Sequence, residues 1–85
     1  RELSEKEKFD IIFIDGAHNS ESVYLDAKNS WKYLKREGYL IFDDFFCNEF
    51  KKGNNPIDGI DKFLKDIKRN YKILGLYSQL IILKL

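Results

Sequence analysis

The sequence predicts an α/β fold, one part of a doubly wound sheet, with elements in the order β-α-β-α-β-β, parallel strands first and an antiparallel hairpin at the C-terminal end. Three observations carry this. The runs FDIIFID (9–15) and YLIFD (39–43) are short, rich in β-branched and aromatic residues and apolar on both faces, as strands buried inside a parallel sheet are. Between them lies an amphipathic stretch of helical period. The tail YKILGLYSQLIILKL (71–85) holds two strand-like blocks around Tyr77-Ser78-Gln79.

Residues 1–8 (RELSEKEK) are polar and carry no usable period. The first strand, 9–15, is bounded by Gly16. A helix is expected over 19–36, with Asn19 or Ser20 as N-cap and Glu21 at the positive end of its dipole. Val23, Ala27, Trp31 and Leu34 form its apolar stripe, Lys35 and Arg36 suit its C-terminal end, and Gly38 is placed where a positive φ would be needed. A strand, a crossover helix and a second buried strand make a βαβ unit, right-handed in nearly all sheets. Residues 44–56 read as an irregular loop with a turn at Gly53-Asn54-Asn55-Pro56. Ile60, Phe63, Leu64 and Ile67 stand at i, i+3, i+4 and i+7 and predict a helix over 57–69. Strands over about 71–77 and 79–85 complete the order.

Composition narrows the possibilities. Eighty-five residues make one small domain, and a chain of this size buries only about 60% of its unfolded surface. With 44% hydrophobic residues it is not a disordered chain, and with one Cys it is not a disulfide scaffold. No apolar run approaches the ~20 residues of a membrane-spanning helix. A net charge of +1 without a basic block gives no electrostatic ground for a nucleic-acid partner. Met is absent even at position 1, so residues 1–85 are expected to be a single piece of a longer protein. The free Cys and the lack of a signal segment suggest a cytoplasmic one. A partial sheet leaves an open edge, which predicts a homodimer or a swapped dimer.

In an open α/β sheet ligands bind beyond the carboxyl ends of the parallel strands. Asp15 ends the first strand, followed by Gly16, Ala17 and His18, and Asp43-Asp44 end the second. Crowded carboxylates repel unless a cation joins them or one takes a proton. Oxygen donors of this kind suit Mg²⁺ or Mn²⁺, and a bound ion can acidify a substrate hydroxyl. His18 is then a candidate general base. Each feature has a plainer structural reading: an Asp at a strand end can simply cap a helix, and a His after a turn can simply be a surface residue. Cys47 has neither a second Cys nor a second His to work with. Trp31 belongs to the apolar stripe, Phe45, Phe46 and Phe50 to packing, and the lysines of 62–72 to a solvated helix face.

The segments FDIIFIDGAHNSESVYLDAKNSWKYLKREGYLIFDDF and GIDKFLKDI resemble the C-terminal half of a class I S-adenosylmethionine-dependent methyltransferase. More narrowly, they are similar to small-molecule O-methyltransferases whose fourth strand ends in Asp-Gly-x-His. The features that match are Asp15-Gly16-Ala17-His18, Asp26 within the helix, Gly38 and Asp43-Asp44. The resemblance implies a partial Rossmann-like methyltransferase fold, with the last two strands as its sixth and antiparallel seventh. It also implies metal-assisted methyl transfer to a hydroxyl, with Asp15, Asp43 and Asp44 as metal ligands and His18 with Asp15 at the catalytic position. The family's Pro-Gly-Gly turn is Arg36-Glu37-Gly38 here. Its glycine-rich cofactor loop is missing from this chain, so most of the S-adenosylmethionine site is expected elsewhere and the isolated chain is expected to be inactive. Two other readings stay open: Mg²⁺-dependent phosphoryl transfer in a receiver-like domain, and a non-catalytic, self-associating α/β module.

Overall fold

A computed structural model describes residues 8–16, 18–45, 50–76 and 79–85. Their elements are β1 (Phe9–Asp15), α1 (Ser20–Trp31), β2 (Leu34–Asp43), α2 (Pro56–Ile67), β3 (Tyr71–Leu76) and β4 (Gln79–Lys84). The sheet order is β1-β2-β4-β3. β1 and β2 are parallel, while β4 lies antiparallel to both β2 and β3. The C-terminal hairpin therefore enters the sheet with its second strand innermost. This is the predicted element order and class, a partial methyltransferase-like α/β fold.

Alternation along the strands assigns the faces. Ile14, Leu40, Phe42, Leu80 and Ile82 are buried together with Val23 and Ala27 of α1 and Ile60, Phe63 and Ile67 of α2. Phe63 sits at the centre, edge-on to Trp31 (5.5 Å between ring centroids) and to Phe42 (6.1 Å). On the opposite face Phe9, Ile11 and Phe13 are 48%, 50% and 66% exposed, and Tyr39 is exposed beside them. The expectation that 9–15 is buried on both sides is corrected here. Among the described strands β1 is at one end of the sheet, both helices pack on one face, and Ile14 is the one buried residue of β1.

The first helix is shorter than its pattern suggests. Asn19 caps it as expected, its side chain accepting from the Ser22 amide at 2.9 Å. The helix ends at Trp31, however, and Leu34, Lys35, Arg36 and Gly38 belong to β2. The tertiary reason is visible in the hydrogen bonds. Tyr33 O accepts from the Lys8 and Phe9 amides, drawing the chain into the sheet. Lys84 Nζ donates to Trp31 O at 2.8 Å and to Leu34 O at 2.7 Å, a cation seated on the carbonyls at the helix end. The positive φ falls on Glu37 (68°) and not on Gly38. Gly38 is needed for space instead, since a Cβ there would lie 2.8 Å from Asp10 O and from Lys35 O. β2 bulges over this stretch, pairing Phe9 with Leu34 but Ile11 with Tyr39, and from there the register is regular to Asp15 and Asp43.

The second helix follows its sequence pattern. Asn55 and Asp58 form a capping box, Pro56 occupies the first turn, and Ile60, Phe63 and Ile67 are buried with Leu64 half-buried. The predicted reversal at Tyr77-Ser78 lies outside the described residues.

Candidate functional site

The carboxyl ends of β1 and β2 form one edge, and its geometry begins with two backbone contacts. Asp15 and Asp43 are register partners on neighbouring strands. Immediately beyond them the Gly16 amide donates to Asp43 O at 2.5 Å. A Cβ at position 16 would meet that same oxygen at 2.5 Å and the backbone of Phe45 at 3.0–3.1 Å, so only glycine lets the two strand ends close this tightly. Asp44 then takes a left-handed backbone (φ 55°), accessible to Asp at modest cost, and Phe45 turns back to be buried at 1% exposure. The acidic pair is thus anchored on both sides by buried residues while Asp43 and Asp44 stay exposed.

His18 lies one turn beyond Asp15, with Nε2 3.8 Å from Asp15 Oδ2 and both side chains more than half exposed. That separation makes an ion pair once the imidazole is protonated. The site residues expected from the sequence are therefore brought to one edge in two pairs, Asp15 with His18 and Asp43 with Asp44. Among the described residues, no three His, Cys, Asp or Glu side chains converge in a way that could hold a metal ion. Ala17, Phe46 and Cys47 lie outside the described residues.

The neighbouring loop is tied to the same edge. The Ser20 amide donates to Asn54 O at 3.1 Å, and Ser20 Oγ to Asn54 Oδ1 at 2.8 Å. The two helices meet beside it so closely that a Cβ on Gly59 would lie 2.1 Å from Ser20 O. The start of α1, which follows the Asp15–His18 turn, is thereby fixed against the start of α2. Sequence reasoning missed this clasp because Ser20 and Asn54 are 34 residues apart and each resembles an ordinary cap or turn residue.

It also missed a cluster on the outer side of the helices. The Tyr24 hydroxyl donates to Asp66 Oδ2, Lys28 Nζ stands 3.5 Å from the same oxygen, and Lys62 Nζ lies 4.3 Å above the Tyr24 ring. The bond from Tyr24, aided by the Lys28 charge, holds Asp66 below the ordinary carboxylate range. The same bond, with partial desolvation, pushes the Tyr24 phenol up. Lys28 is raised by Tyr24 first and by Asp66 second.

A family model described as "Methyltransferase domain" matches residues 1–45, which span β1, α1, β2 and the edge residues Asp15, His18, Asp43 and Asp44. The chain belongs to this methyltransferase-domain family. An uncharacterized protein of Acanthamoeba polyphaga mimivirus is 28% identical over 74 residues, covering 80% of this chain and 33% of that protein. The chain thus spans about a third of the length of this curated relative. No solved structure matches it significantly. In this methyltransferase domain the helix-bearing face, the parallel pair β1-β2 and the antiparallel β4 form one connected core. No helix among the described residues is long and apolar enough to cross a membrane.

Proposed function

We propose that this methyltransferase domain supplies the acceptor side of an S-adenosylmethionine-dependent O-methyltransferase acting on small-molecule hydroxyls. The observation that carries the reading is the edge itself: Asp15 and Asp43 in register at two parallel strand ends, with His18 beside Asp15. S-adenosylmethionine, when bound, supplies the electrophilic methyl group. The described residues include no glycine-rich turn after a strand to cradle it, so no contact with it is assigned to them.

The chain's own residues account for the other half of the chemistry. An acceptor hydroxyl must lose its proton as its oxygen attacks, and an imidazole is suited to take it near neutral pH. His18 presents Nε2 toward Asp15, which leaves Nδ1 to receive the proton. Asp15 then faces the imidazolium and stabilises it by charge. Asp43 and Asp44 offer exposed acceptors for further hydroxyls of the same substrate. A joint Mg²⁺ or Mn²⁺ site on Asp15, Asp43 and Asp44 would require the three carboxylates to converge. The described side chains do not converge in that way.

The test uses the complete natural reading frame, assayed with labelled S-adenosylmethionine against phenolic, sugar and amine acceptors. Transfer to a hydroxyl is expected, and His18→Gln should lower kcat by about 10²–10⁴ while leaving cofactor affinity unchanged. Asp15→Asn should reduce kcat by a smaller factor. Full activity in His18→Gln would remove His18 as the base, and transfer to amines alone would overturn the hydroxyl reading.

A further inference from the structure

We propose that Asn54 is a positioning residue for the methyl transfer: through Ser20 it holds His18 at its working distance from Asp15. The inference rests on the reading of His18 as the base.

The base and its carboxylate belong to different bodies of the fold. Asp15 is the last residue of β1, in register with Asp43, and the Gly16 amide on Asp43 O secures it to the sheet. His18 lies across the turn, directly before Asn19, the cap of α1, so its place depends on where α1 begins. The 3.8 Å between His18 Nε2 and Asp15 Oδ2 is therefore a distance between a strand end and a helix start. With both side chains more than half exposed, the backbone placement of these two ends sets it.

Two kinds of contact fix the helix start. The Asn19 side chain accepts from the Ser22 amide, which orders the first turn but ties it to no other element. Ser20 supplies the tie. Its amide, a donor that α1 cannot satisfy from within, goes to Asn54 O at 3.1 Å, and its Oγ donates to Asn54 Oδ1 at 2.8 Å. Two directional bonds between one pair of residues fix orientation as well as separation, where a single bond leaves a hinge.

Asn54 can bear on Ser20 in this way because its own loop is cross-braced. Its amide donates to Lys51 O at 2.8 Å, and Gly53 takes the left-handed φ (87°) of the turn. The Phe50 amide donates to Asn55 Oδ1 at 3.0 Å, and the Asn55 amide to Asp58 Oδ2 at 2.9 Å. The loop is thus continuous with the start of α2, whose Ile60 and Phe63 are anchored in the core. Support runs from the core through α2 and Asn54 to Ser20, and so to His18. The Ser20–Asn54 side-chain bond is exposed to water, so its loss acts on geometry more than on stability.

The test uses the complete natural reading frame. Asn54→Ala removes the side-chain bond and leaves the backbone bond in place. It should lower kcat about tenfold, a part of the ~10² that a misplacement of about 1 Å can cost, with the KM for S-adenosylmethionine unchanged. Ser20→Ala should do the same, and the double variant should lose no more than either single one. Asn54→Asp keeps the acceptor oxygen and should stay near wild type. In the His18→Gln background Asn54→Ala should change nothing further, since its effect passes through the imidazole. The NMR order parameter of the His18 backbone gives a readout apart from activity: it should fall in Asn54→Ala while that of Asp15 holds. An unchanged order parameter at His18 overturns the proposal whatever the kinetics. Undiminished kcat in Asn54→Ala overturns it too, as does an equal further loss in the His18→Gln background, which would mark a general loosening. Full activity in His18→Gln is the separate failure of the base; it removes the catalytic role of Asn54, and the order parameter still shows whether Asn54 places His18.

Discussion

The two faces of the sheet are built from the same kinds of residue and meet different surroundings. On one, Ile14, Leu40, Phe42, Leu80 and Ile82 are sealed under α1 and α2. On the other, Phe9, Ile11, Phe13 and Tyr39 stand in water, with Ile41, Ile81 and Leu83 half-covered. Strand composition records what a face is able to bury, and burial itself depends on what lies above it. The contrast separates the residues that hold these elements together from residues of the same kind that the described helices leave uncovered.

The largest effect that can break the comparison is expected at Phe63. It joins Phe42 of the sheet to Trp31 of α1 and is fully buried. Phe63→Ala should cost about 3–5 kcal/mol. A domain this small has only about 5–10 kcal/mol in total, so the variant should be largely unfolded or close to it at 37 °C. Phe13→Ala on the other face, at a side chain 66% exposed, should change stability by less than about 0.5 kcal/mol. Urea unfolding followed by Trp31 fluorescence checks both. Equal losses would mean that the second face is covered as well.

The same contrast explains what could be read from the sequence. The βαβ unit, the second helix and the terminal hairpin were legible because each is a local pattern: Ile60, Phe63, Leu64 and Ile67 declare a helix face without reference to any other element. The strand-end placement of Asp15 and Asp43 followed from the two apolar runs, each of which stops at its Asp, and the parallel register pairs them. The end of α1 was not legible. Leu34 continues the helical stripe and is fully buried, but it is buried as the first residue of β2, where Lys84, fifty positions later, supplies the cation at the helix end. The exposure of β1 was hidden for the opposite reason, because nothing within FDIIFID states that helices cover one side alone. At that edge the register of Asp15 with Asp43 was legible, and the approach of His18 to Asp15 was not.

A smaller effect tests how closely the covered side is fitted. Gly59 lets α2 pass against Ser20 at a distance no side chain allows, the nearest obstacle being backbone. Gly59→Ala would gain up to about 1 kcal/mol of helix propensity in isolation. Forcing the two helix starts apart should outweigh that gain, for a net loss of about 1–2 kcal/mol. Because Ser20 also holds Asn54, the variant should increase amide exchange at Ser20 and at Asn54 more than in the sheet. A stabilised variant would show that the helices do not approach as described.

The smallest effect concerns the outer side of the helices, where water competes. Tyr24 donates to Asp66, with Lys28 alongside, and all three groups are solvated enough for salt to screen them. Asp66 is held below its ordinary value of 3.8, so its contribution is present above that value and fades as pH falls through the depressed one. Tyr24 is raised above its ordinary 10.0, so its contribution is present below that value and fades as pH rises through the raised one. Lys28, raised in the same direction, reinforces the alkaline limit. Tyr24→Phe removes the hydroxyl and keeps the ring beneath Lys62. The Tm difference between wild type and Tyr24→Phe should therefore form a plateau between the two ordinary values and close toward both acid and alkali. A difference that does not vary with pH would assign Tyr24 to ring packing and remove the hydroxyl bond from the tie between α1 and α2.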